Sequence, residues 1–431
     1  MTSRVEVLRL PARVLELPFG KDVLMTAVAR VVVLAAGILT GVVTARLLEP
    51  AGRGEYFVVV TFAQLVVQFT NLGLQSSNTY LVARDRSLLG PLLANSVWIS
   101  VLVGAGVAAL LVVPIQHGWI RGIEPVSSLW CAVPLVPASL FYMLGGNLLV
   151  GLREMGRFNG FQVASAVVLL LLLTAAGLTG AGPTGFLIAC SLGWTGIGVA
   201  MLRSLRRMSN TGLAFHTPVF KTGFSYAQRA YLATFMGFLV LRSNVFVLNA
   251  LRGPVEVGYY SIATQFADVL AIVPQSAALV LFPVLVQEQS ASFDRTLKQI
   301  ALMAPLLAAA CLIVGIAARP IIALAFGASF LPAVPVLRWM LPSAFFLGLT
   351  SIASQHLAAA GFPRRLVAVW AVGLVSAIAM SYVLIRSFPT VGASAALSAA
   401  HALVFVLVFA LSWMTHLQMP RAVIRTERGE R

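Results

Sequence analysis

Charge is scarce in this chain: only 10% of its 431 residues are charged, and acids are scarcest, with 14 Asp and Glu against 30 Lys and Arg. A soluble domain carries about 25% charged residues. With 59% hydrophobic residues and a mean hydropathy of +0.92, this chain has too little polar surface to cover itself in water. Cysteine is nearly missing. Cys131, Cys190 and Cys311 lie far apart inside apolar runs, without CxxC spacing, which excludes a disulfide framework and leaves small core residues. No second His, Cys or carboxylate stands three or four residues from His356 or His401, so no helical metal site is expected. Strands of about 10 alternating apolar and polar residues are absent, which excludes a transmembrane barrel. The lack of a GxxxxGK[ST] loop argues against direct nucleotide drive, and no cofactor is implied. No small-residue cleavage site follows the first apolar run, so the first helix is expected to remain as an anchor.

Long apolar runs recur from Leu24 to Leu417, each sufficient to cross about 30 Å of hydrocarbon as a helix. The reading is an all-α integral membrane protein with about twelve spans: 24–46, 55–80, 90–114, 126–150, 160–180, 183–203, 222–250, 257–284, 299–325, 332–359, 366–387 and 390–416. Sorting Lys and Arg by loop places twenty on the side of both termini and six, among them Arg46, Arg53 and Arg252, on the other. Because cytoplasmic loops retain cations, both termini are expected in the cytoplasm of a cell (inner) membrane. The excess positive charge is then a matter of topology and anionic headgroups, and nucleic-acid binding is not needed.

The chain repeats itself. Pro50, Gly54, Tyr56, Phe62 and Ala63 recur 204 residues later as Pro254, Gly258, Tyr260, Phe266 and Ala267. Pro137, Phe141, Leu144, Leu152 and Gly156 recur 205 residues later as Pro342, Phe346, Leu349, Leu357 and Gly361. A shift of six helices makes the repeats parallel, related by a pseudo-two-fold along the membrane normal, an architecture for alternating access. The expected organisation is a cytoplasmic N-terminal segment (1–22), a first lobe (23–205), a basic linker (206–221), a second lobe (222–417) and a basic tail (418–431), with a central cavity between the lobes. Small-residue faces at Gly37 and Gly41, and at Gly392, Ala396 and Ala400, mark close helix contacts.

The stretches ARLLEPAGRGEYFVVVTF (45–62), LRGPVEVGYYSIATQFADVLAIVPQSAALVLFPVL (251–285) and LAFGASFLPAVPVLRWMLPSAFFLGLTSIASQHLAAAGFPRRL (324–366) resemble the bacterial polysaccharide (O-antigen) flippases of the multidrug and polysaccharide exporter superfamily. The resemblance implies an exporter-like fold and a lipid-linked oligosaccharide, on polyprenyl pyrophosphate, carried from the cytoplasmic to the outer leaflet. One departure matters. Where many relatives carry an acid late in the seventh helix, this chain reads Arg242-Ser243-Asn244, which puts inherited carboxylate-based ion coupling in question.

Charges at membrane depth are costly and mark candidate sites. Arg30 and Arg229, near the expected cytoplasmic ends of the first helix of each lobe, could form a cationic mouth for a pyrophosphate, or could snorkel to headgroups. Arg242 and Arg338 could line the upper cavity, or could snorkel or pair with each other's helix carbonyls. Asp268, the one acid well inside a span, is a candidate proton or sodium site, or the counter-ion of an arginine such as Arg229. His356 and His401 are expected to make interhelical hydrogen bonds. Pro137 and Pro342, at matching positions, are a candidate hinge or a packing kink. Four intramembrane arginines against one aspartate favour an anionic cargo over the cations of a multidrug antiporter. A non-transporting homologue would keep the same fold. The outer loops are too short for the catalytic groups of a glycan-processing enzyme.

Overall fold

A computed structural model describes residues 18–119, 123, 126–209, 212–287, 292–359 and 364–429. Among these, eleven helices are long and apolar enough to cross a membrane. The first stretch, Met25–Asn71, has 47 residues. At about 1.5 Å per residue it is more than twice the hydrocarbon thickness, so it holds two spans and the total is twelve. It belongs to α1 (Pro18–Asn71), which breaks at Glu49, φ 55° and ψ 178°, directly before Pro50. The second span continues past Leu72 and Gly73, both at positive φ, into α2 (Leu74–Arg84).

The third span is assembled from α3 (Leu89–Trp98), a π-helical turn (Ile99–Gly104) and α4 (Ala105–Gln116). After the short α5 (Val126–Leu129), the first lobe closes with α6 (Ala132–Gly151), α7 (Met155–Leu178) and α8 (Pro183–Met208). The second lobe comprises α9 (Thr217–Arg252), α10 (Pro254–Gln287), α11 (Ser292–Ala325), α12 (Ala333–Ala359), α13 (Arg364–Ser387) and α14 (Gly392–Gly429). Helices outrun the apolar runs at the linker: α8 carries Arg203, Arg206 and Arg207 to Met208, and α9 starts at Thr217. Long basic side chains are good helix formers and reach water while their backbone stays helical. An even number of crossings puts both chain ends on one side, called proximal below; the opposite side is distal.

The inside-out pattern is that of a membrane protein. Leu110, Leu178, Val280 and Leu324 are each more than 70% exposed, on faces that only hydrocarbon would cover. Inside, one apolar cluster built on Leu129, Leu140, Leu144 and Phe186 fills the first lobe, and another on Tyr260, Phe330, Val336 and Leu337 fills the second. Distal arginines finish helices. Arg46 Nε donates to the Ala325 carbonyl (2.8 Å) at the end of α11, and Arg252 donates to the Ile385 and Arg386 carbonyls (2.9 and 3.1 Å) at the end of α13. The last carbonyls of a helix have no intrahelical donor, and a cation there also meets the negative end of the dipole.

Candidate functional site

The repeat is visible as geometry. Glu49 (φ 55°, ψ 178°) and Gly253 (φ 82°, ψ −175°) adopt the same backbone conformation, one residue before Pro50 and Pro254. That conformation turns the chain from one span into the next at the distal side of each lobe. Gly54 and Gly258 then pack reciprocally: a Cβ on Gly54 would overlap the Pro254 carbonyl, and one on Gly258 would overlap the Pro50 carbonyl. Such exchange of equivalent contacts is the signature of a two-fold relation. The crossing shuts the distal side between the lobes.

On the proximal side, the start of α9 docks on the first lobe. A Cβ on Gly73 would lie 2.8 Å from that of Ala227, and the Tyr231 hydroxyl donates to the carbonyl of Phe69 (2.7 Å). Asn95 and the backbone of His216 exchange two hydrogen bonds, 2.7 and 3.0 Å. Between the closures lies a cavity of about 830 Å³, extending from Arg30 and Leu279 to Arg53 and Thr44 beneath the distal crossing. The two limbs of α1 and helix α10 form most of its wall, with Gln162 from α7 and Arg242 from α9.

Three sequence-predicted residues meet here. Arg30 Nη1 stands 3.5 Å from Ser276 Oγ on α10, bridging the lobes near the proximal end. Arg242 Nη2 donates to Asp268 Oδ2 at 2.9 Å, so the partner of Asp268 is Arg242 and not Arg229. The Arg242 side chain is 12% exposed and that of Asp268 46%, which turns the carboxylate toward the cavity. The Arg229 side chain lies outside the described residues. Arg338 does not join the central cavity. It lies at a separate groove of about 580 Å³ between α11 and α12, lined by Cys311, Leu312 and Phe345, with Nε donating to the Gly315 carbonyl at 3.0 Å. Residue 338 occupies the outward face of α12, a helical phase that the depth argument from sequence did not resolve.

The cation that sequence reasoning missed is Arg53. Placed by sequence among the distal loop residues, it is 6% exposed and roofs the cavity. Its Nε donates to Ser261 Oγ (2.7 Å), Nη1 to Thr44 Oγ1 (2.6 Å) and to the Gly41 carbonyl, and Nη2 to Gln265 Oε1 (3.0 Å). Its guanidinium carbon is 6.0 Å from the Phe326 ring centroid. Among the described residues no carboxylate pairs with it; every hydrogen-bond partner is neutral. A signal existed in the repeat: at the 204-residue offset Arg53 falls on Val257, which is fully buried. The small-residue face of Gly37 and Gly41 also has a different meaning here. Nothing approaches Gly37, while a Cβ on Gly41 would overlap the Gln265 side chain.

Neutral hydrogen-bonding groups complete the wall: Thr40, Gln64, Gln162, Thr264 and Gln275. His401, 1% exposed, makes an interhelical contact, Nδ1 to Ser343 Oγ at 2.7 Å. His356 packs against Phe293, with ring centroids 5.4 Å apart.

Two six-helix lobes related by a pseudo-two-fold, meeting around a central cavity whose largely apolar wall carries three arginines and one aspartate, define a multi-pass membrane protein of the transporter fold. Known structures agree over nearly the whole chain. It is similar to a lipid II flippase, MurJ, in an inward closed conformation (TM-score 0.73, 13% identity, covering 94% of this chain and 93% of that one). It is also similar to an inward-facing multidrug resistance MATE family transporter of the MOP superfamily (TM-score 0.72, 14% identity, 90% and 95% covered). For an outward-facing MATE transporter the TM-score is 0.65 at 15% identity, with 93% and 95% covered. No curated protein matches the sequence significantly. The chain belongs to the polysaccharide biosynthesis protein family, whose profile matches residues 19–289.

Proposed function

We propose that this protein flips a lipid-linked oligosaccharide, carried on polyprenyl pyrophosphate, from the cytoplasmic to the outer leaflet of the inner membrane by alternating access. The observation that carries the reading is the chemistry of the cavity. Arg30, Arg53 and Arg242 face one acid, Asp268, so the lining is net positive, and glutamines and threonines supply the donors and acceptors that sugar hydroxyls require. A cation exporter would favour the opposite balance. Arg30, within reach of α10 on the proximal side, is suited to meet the pyrophosphate first, because a guanidinium stays charged and donates in a planar fork.

With both termini in the cytoplasm, the cavity is shut on the distal, outer side. A proximal cleft of about 360 Å³ holds Arg157, Arg203 and Arg207, which fits anionic headgroups of the cytoplasmic leaflet. The ion pair of Asp268 with Arg242 makes Asp268 a counter-ion in this state. An ion gradient, of H+ or Na+, could drive the cycle only by loosening that pair. Arg229 and Arg338 remain candidate contacts to the lipid-linked cargo, Arg338 from the lateral groove.

The test is mass spectrometry of lipid-linked sugars in native cells depleted of the protein. The expected result is accumulation of a polyprenyl-pyrophosphate oligosaccharide, reproduced by Arg30→Ala with Arg242→Ala. An unchanged lipid pool accompanied by altered drug tolerance would replace this reading with that of a multidrug antiporter.

A further inference from the structure

A buried cation whose partners are all neutral is an unusual way to close a gate. Taking a guanidinium out of water costs several kcal/mol, and neutral acceptors offset this less well than a carboxylate or phosphate. The division of its hydrogen bonds is informative. Nη1 is held by its own lobe, through Thr44 Oγ1 and the Gly41 carbonyl. Nε and Nη2 are held by the opposite lobe, through Ser261 and Gln265 of α10. The Nε and Nη2 edge of arginine presents two parallel N–H groups that match two oxygens of a phosphate. When the lobes part, that edge is stripped of its acceptors, while Nη1 keeps the guanidinium aimed into the cavity roof.

We infer that Arg53 is a masked oxyanion site: Ser261 and Gln265 occupy its fork in the closed state, and a phosphate or pyrophosphate oxyanion takes their place as the distal side opens. The inference rests on the anionic-cargo reading above and extends it, giving the headgroup a second station at the distal end. It also accounts for Gly41, because only a residue without a Cβ leaves space for Gln265 to reach the fork. The repeat supplies one such site and not two, since the position equivalent to Arg53 is Val257.

The masking predicts changes of opposite sign. In purified protein, isothermal titration with inorganic pyrophosphate should show binding that Arg53→Gln weakens at least about tenfold. Ser261→Ala combined with Gln265→Ala should tighten it by about tenfold, because two competing acceptors are gone. Gly41→Ala, which displaces Gln265 while keeping the residue-41 carbonyl that accepts from Arg53 Nη1, should tighten it in the same direction and serves if the double variant is poorly folded. Farnesyl pyrophosphate, run in parallel, separates headgroup from lipid: both ligands should respond to Arg53→Gln.

Spin labels at Thr179→Cys and Ser387→Cys, on the distal ends of α7 and α13 in a cysteine-free background, report the gate. Pyrophosphate should lengthen their distance in the otherwise wild-type chain and not with Arg53→Gln. Equal affinities in all variants, weaker binding in the unmasked ones, or farnesyl pyrophosphate binding indifferent to Arg53 would each overturn the site. These outcomes are separable from the flippase reading, which stands or falls on the lipids that accumulate in depleted cells.

Discussion

At the scale of single residues, the two repeats solve one turn with different amino acids. The backbone region at φ 55° and ψ 178° is essentially a glycine region, and a side chain there costs on the order of 1–3 kcal/mol. Gly253 adopts it freely and Glu49 does not. Glu49→Gly should therefore raise thermal stability in detergent by about 1 kcal/mol, and Gly253→Ala should lower it by a similar amount or more. A second residue-level expectation concerns the pair Arg242 and Asp268. Asp268→Asn strands a guanidinium that is largely buried. The double variant with Arg242→Gln should recover much of the lost melting temperature, giving a coupling of about 1 kcal/mol because the carboxylate is half-exposed. Additive losses would show that the pair does not stabilise this state.

At the scale of elements, the proline at the centre of α12 is less free than its sequence suggests. Ser343 N–H would ordinarily bond the Trp339 carbonyl one turn back. At this step Ser398 of α14 brings its hydroxyl to both groups, accepting from Ser343 N (3.0 Å) and donating to the Trp339 carbonyl (2.6 Å). Insertion of a side chain into the helical ladder is a recognised origin of kinks. Together with the contact from His401 to Ser343, it ties the Pro342 segment to α14 as one packed unit, so motion is expected between lobes and not within α12. Ser398→Ala should cost about 1–2 kcal/mol in unfolding and speed hydrogen exchange at the Ser343 amide. The same position in the first lobe, at the 205-residue offset, is Gly193, so Pro137 in α6 has no such tie from that position.

At the scale of the whole molecule, the distal crossing and the sidedness make separate predictions. Gly54→Ala and Gly258→Ala each drive a methyl into the other lobe's proline carbonyl, and should cost about 1–3 kcal/mol in detergent and lengthen the distal label distance. Gly37→Ala, with open space around it, should do neither. Alkaline phosphatase fused after Gly180 should be active and after Ser209 inactive; the reverse pattern would place both termini outside and turn the distal closure toward the cytoplasm. The spans, their number and the repeat were legible in the sequence, because a bilayer demands long apolar helices and a duplicated chain keeps one offset. Arg30, Arg242 and Asp268 were legible as candidates because charge within an apolar run is conspicuous. Arg53 was not, since beside Pro50 it reads as a loop cation, and its burial depends on α10 crossing α1. Arg338 was conspicuous in the sequence, but which face of α12 it occupies is a matter of helical phase. Composition and periodicity thus determined that this chain is a two-lobed membrane protein; which cations meet in the cavity was decided by tertiary structure, because contacts between helices hundreds of residues apart leave no local pattern.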